Sequence, residues 1–121
     1  MGMHIRFLLP VLALAGCTAM PTAELRDTIT TQDMLMNRPN TETQEVLFRM
    51  QNDGTGTVEF INGTSGPQDV NWTLNGATYC SQTDEGLMQS FGCAIISILG
   101  QQVRLAHTES DNVATGRLVA R

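Results

Sequence analysis

The chain contains no lysine, one tryptophan, one tyrosine and only three cysteines in 121 residues. Charged residues make up 16% of it, and the twelve acids outnumber the seven arginines, for a net charge of −5. Phosphate binding needs clustered Lys/Arg, so this shortage excludes nucleic acid or an anionic membrane face as the main partner. No apolar run reaches the roughly 20 residues that cross a bilayer as a helix, which excludes a helical membrane bundle. The length allows one domain and excludes multidomain enzymes. HExxH and a nucleophile elbow are both missing, so zinc and hydrolase chemistry lack their partners. The reading is non-enzymatic, with no cofactor and no metal site expected.

What is present is most specific at the start. Met1-Gly2-Met3-His4-Ile5-Arg6 is short and positive, Phe7–Ala15 is almost wholly apolar, and Gly16-Cys17 follows. A positive start, about 7–15 apolar residues and small residues at the cut form a secretory signal, here residues 1–16. N-myristoylation wants Ser or Thr where Arg6 stands, and Pro10 would interrupt a buried helix.

Leu14-Ala15-Gly16-Cys17 resembles the lipobox of bacterial lipoproteins. The resemblance implies a diacylglyceryl group on the Cys17 thiol, cleavage after Gly16 and acylation, typically by palmitate, of the new amino group. Two or three acyl chains, at about 0.8 kcal/mol per buried methylene, far exceed marginal one-chain binding. Thr18, in place of the Asp that retains such proteins at the inner membrane, implies the outer membrane and a domain facing the periplasm. If Cys17 carries lipid, Cys80 and Cys93 remain as an even pair in an oxidising compartment. Export favours a disulfide over two free buried thiols. Their spacing is not the CxxC of a redox or zinc site.

Residues 17–43 are Thr-rich, with Pro21 and Pro39 and little periodicity, and read as a lipidated tether with a short strand at Asp27–Thr31. A flexible linker of about 25 residues has a root-mean-square reach of roughly 25–30 Å. Met34 and Met36 fall in it with no histidine beside them, so copper capture is not supported.

Residues 44–121 alternate as short strands separated by turn signals, the pattern of an antiparallel sheet. Val46, Phe48 and Met50 share one face. A three-residue loop with Gly54 in the left-handed region sets Phe48 opposite Val58 and Val46 opposite Phe60. Asn75-Gly76 marks a hairpin that pairs Leu74 with Ala77, Trp72 with Tyr79 and Asn71 with Cys80. Gly100-Gln101 suits a type II′ turn that pairs Ile98 with Val103 and Ile96 with Leu105. Both cysteines then fall on the more polar faces of their hairpins, where adjacent strands can be bridged from outside. A last strand covers about Val113–Ala120. The expected fold is all-β, an antiparallel meander of six to eight strands forming a barrel or half-barrel.

Four groups of residues are candidates for chemistry. Asn52–Phe60 superficially resembles the back half of an EF-hand loop. It lacks the leading Asp and the bidentate Glu, because Gln51 and Asn62 occupy those positions, and calcium is rejected. Trp72 and Tyr79 form either the floor of a ligand or partner site or the core under the sheet, and core is the expected role. His107 is either a polar group lining an interior cavity or a strand-end histidine reaching solvent or a carbonyl, the latter being expected. Asp84 and Glu85 are adjacent acids in a solvated loop.

The stretch from Asp53-Gly54 through Trp72-Thr73-Leu74-Asn75-Gly76 to Tyr79-Cys80 resembles small periplasmic β-sheet domains of unknown function. Asn75-Gly76-Ala77-Thr78-Tyr79 is more faintly similar to the SGxxY segment of membrane-bound lysozyme inhibitors, with Asn75 in place of the serine and no counterpart to their Lys-containing motif. The expectation is a membrane-anchored envelope lipoprotein acting as a binding or structural module, with an envelope protein as a possible partner. The alternative is a periplasmic inhibitor of lysozyme or another hydrolase.

Overall fold

The computed structural model describes residues 20–37, 44–64, 66–82 and 92–121. A helix, α1 (Thr22–Thr31), leads without a loop into β1 (Gln32–Asn37). Seven strands follow: β2 (Glu45–Met50), β3 (Thr55–Phe60), β4 (Gln68–Asn75), β5 (Thr78–Gln82), β6 (Cys93–Leu99), β7 (Gln102–His107) and β8 (Val113–Ala120). Each pairs antiparallel with its neighbour in sequence, and β8 pairs back onto β1 to close an eight-stranded barrel. The expected meander is thus present in its closed form, which leaves no free sheet edge to recruit another chain.

The reading of residues 17–43 as tether is corrected. Residues 22–37 belong to the folded domain, which therefore starts well before 44, and Asp27–Thr31 is the second half of α1 and not a strand. Residues 38–43, like residues 1–19 with the expected signal and Cys17, lie outside the described residues. Threonine is a poor helix former, and Thr28, Thr30 and Thr31 each return a hydroxyl hydrogen bond to the carbonyl four residues back. Docking holds this helix more than propensity does: Leu25 and Ile29, four residues apart on one face, are buried in the end of the barrel. Glu24 in the first turn suits the positive end of the helix dipole.

Inward positions of every strand fill the lumen. Met34, Met36, Val46, Phe48, Met50, Val58, Val70, Trp72, Tyr79, Ile96, Val103, Leu105 and Leu118 form one buried cluster with Leu25 and Ile29 from the helix. Met34 and Met36 are therefore core residues of β1. The β2–β3 hairpin has the expected register, Phe48 opposite Val58 and Val46 opposite Phe60, with Gly54 at φ 91°. The β6–β7 hairpin also follows expectation, Ile98 opposite Val103 and Ile96 opposite Leu105.

The β4–β5 register is corrected. Leu74 faces Tyr79, Thr73 faces Cys80 and Trp72 faces Ser81. The turn is centred on Gly76-Ala77, one residue later than expected. Gly76 takes φ 62° at its first central position, as a type II′ turn requires, while Asn75 stays in the strand paired with Thr78. Each residue's partner moves by two positions, so every side chain keeps its expected face.

Closure depends on small residues at two inward positions. A Cβ on Gly116 of β8 would overlap the Leu35 carbonyl oxygen of β1, and one on Gly56 of β3 would lie 2.7 Å from the Arg49 carbonyl oxygen. Both obstacles are backbone, which cannot rotate away. Overpacking of this kind costs about 1–3 kcal/mol. Gly116→Ala is expected to reach the upper part of that range, because it strikes the β1–β8 junction, and a urea melt followed by circular dichroism measures the loss. A midpoint equal to that of the parent protein would show that the strands separate freely at this point.

Candidate functional site

The end of the barrel that carries α1 is built around Asp33. Its side chain is only 2% exposed, and arginines from both flanking strands reach it. Arg49 of β2 donates from Nε at 3.1 Å and from a terminal nitrogen at 2.7 Å, while Arg121, just beyond β8, donates from Nε at 2.8 Å. Arg121 also donates to the Met50 carbonyl at 2.6 Å. Hydrogen bonding to Asp33, and then that carboxylate's charge, raise the Arg49 pKa above its usual value. On the helix, Arg26 lies 4.6 Å over the Trp72 ring and donates to the side chain and carbonyl of Asn52. Sequence reasoning singled out none of Arg26, Asp33, Arg49 and Arg121. Asp33, Arg49 and Arg121 act as a structural clamp, with the acid's oxygens occupied by guanidinium donors.

Trp72 and Tyr79 take the expected core role. Trp72 shares its indole N–H between the Gln51 and Thr55 carbonyls at 2.9 Å each, and its ring centroid lies 6.2 Å from that of Tyr79. The Tyr79 hydroxyl donates to Met50 Sδ at 3.3 Å. Burial raises the Tyr79 pKa well above the usual phenol value and outweighs the nearby Ser81 hydroxyl, which acts in the opposite direction. Ser81 Oγ itself is buried with no hydrogen bond of ordinary geometry among the described residues.

His107 belongs to the inner face, opposite Ala94, but at the strand end and half-buried, where Nδ1 accepts the Glu109 backbone N–H. It is not brought together with Trp72. Asp53 also has an identified role: its carboxylate accepts the Thr55 N–H and hydroxyl, which lower its pKa and brace the β2–β3 loop. Asp84 and Glu85 lie outside the described residues.

Cys80 and Cys93 form a disulfide directly across β5 and β6 on the outer face. Beside it a cleft of about 410 Å³ is bordered by Asn71, Trp72, Thr73, Ser81 and Gln82. These described lining residues offer amides, hydroxyls and an aromatic edge. None of them is an acid or base near neutral pH, so the chemistry they can perform is recognition by hydrogen bonding. No group of three or more potential metal ligands occurs among the described residues.

Tyr79 provides a pH test, since it is the only tyrosine. Its folded pKa is raised, so the stabilisation from keeping it protonated is complete below the unfolded value of about 10. That stabilisation is lost as the pH rises beyond this value toward the folded one. Unfolding free energy should fall above about pH 10 by up to about 1.4 kcal/mol per pH unit, and Tyr79→Phe should flatten this decline. Denaturant melts at stepped pH, with phenolate absorbance appearing only on unfolding, measure both effects. Compared with known proteins, the chain matches no family model, no curated protein and no solved structure.

Proposed function

We propose that the chain is a lipid-anchored protein of the bacterial envelope whose barrel serves as a non-enzymatic binding or structural module. The observation that carries this reading is the Cys80–Cys93 disulfide. It is the bond of an oxidising compartment, and it uses two of the three cysteines, leaving Cys17 as the one available to a diacylglyceryl group. Cys17 follows the signal-like stretch and lies outside the described residues. Support for a binding role comes from the packed lumen, which puts recognition on the outer surface and the rims.

Mass spectrometry of membrane-extracted protein should find an N-terminal peptide beginning at Cys17, heavier by a diacylglyceryl group and an acyl chain. Cys17→Ser should release the protein into the soluble periplasmic fraction. An unmodified Cys17 thiol in the exported protein would overturn the anchor.

A second reading, inhibition of lysozyme or another basic hydrolase, draws support from the end of the barrel opposite α1. Glu45, Glu59, Asp69, Glu109 and Asp111 gather there, a charge distribution suited to steering a basic enzyme. The measurement is a cell-wall turbidity assay with micromolar protein. Undiminished lysis would remove this reading and leave the first intact.

A further inference from the structure

We infer that the α1 end of the barrel is a membrane-contact surface, with the tip of the β6–β7 hairpin resting on the lipid headgroups and Leu99 entering the interface. This rests on the lipid-anchor reading of Cys17. The first observation is a length. Because α1 begins at Thr22, only four residues lie between its first residue and Cys17, and the five Cα-to-Cα steps span at most about 18 Å when fully extended. Had residues 17–43 been a free tether, the domain would stand well clear of the bilayer. The helix removes that freedom and keeps one end of the barrel close to the headgroups, where a short linker gives even a weak contact a high effective concentration.

The second observation is what that end presents. Thr22 Oγ1 donates to the Gly76 carbonyl, so the start of α1 lies against the β4–β5 turn. The β6–β7 turn, Gly100-Gln101, is at the same end by strand direction. Leu99 at its edge is 77% exposed, the most exposed large apolar side chain among the described residues. It adjoins uncharged Gly100, Gln101 and Gln102. Arg26, Arg49 and Arg121 belong to this end and offset most of the charge of its acids, Glu24, Asp27, Asp33 and Asp53, while the uncompensated acidic excess named above gathers at the other. A protein of net charge −5 held near an anionic surface is repelled least with its acidic rim pointing away.

The test uses the full lipidated protein in phosphatidylethanolamine/phosphatidylglycerol vesicles doped with headgroup-nitroxide lipid. A fluorophore is placed by Gln101→Cys at the hairpin tip or by Thr64→Cys in the exposed β3–β4 loop at the far end. Mass spectrometry of the same samples reports the state of Cys17. Quenching is expected to be several-fold greater at 101 than at 64, and Leu99→Ser should reduce the difference. Equal quenching at the two positions with lipid on Cys17 overturns the contact surface and leaves the anchor standing. An unlipidated Cys17 overturns the anchor reading and this inference with it.

Discussion

A buried carboxylate is tolerated only where charge and hydrogen bonds compensate it, and Asp33 satisfies that condition where the chain passes from α1 into β1. Arg49 reaches it from β2 and Arg121 from beyond β8, the two strands that flank β1 in the closed sheet. The acid thus joins three pieces of chain that are far apart in sequence. Arg121 adds a bond to Met50 at the end of β2, beside the place where Leu25 and Ile29 fill the barrel. Helix docking, the β1–β8 junction and the lower core therefore share one electrostatic anchor. Removing the acid would leave two guanidinium groups without their common partner.

The hairpins with the right register in sequence were those whose turn and apolar pattern gave the same answer. For β2–β3, a two-residue loop would have set Arg49 against Val58, so alternation itself selected the longer loop with Gly54. At β4–β5 alternation is silent, because moving each partner by two positions preserves which side chains point inward. The decision fell to the turn, where Gly76 alone takes the positive φ that a turn centred on Asn75-Gly76 would require of both residues. The disulfide was readable because both cysteines alternate away from apolar neighbours, and their faces survive the register change.

Less was legible before residue 44. Met34 and Met36 flank Leu35 in a run as alternating as Val46–Met50, yet threonines and prolines on either side gave it the look of linker. The helix could not be found from periodicity, since Leu25 and Ile29 are its only buried residues and its threonines favour other conformations. Its order comes from the surface it covers, and that surface exists only once β1, β2 and β4 are assembled. The Asp33 clamp was hidden for the same reason: Arg49 and Arg121 meet the acid through barrel closure, which no local pattern encodes.

The ring of strands is not uniform around its circumference. Where β5 meets β6, the register among the described residues pairs Thr78 with Ile95, Tyr79 with Ala94 and Cys80 with Cys93, and the last of these is also the covalent bond. Among the described residues, the shortest run of paired positions is thus the one fastened by sulfur. With both thiols reduced, this is the natural place for the cylinder to part, exposing two strand margins that could pair with another molecule. Oxidation then acts as the final latch, so the molecule acquires its full mechanical closure only in a compartment that can take electrons from it.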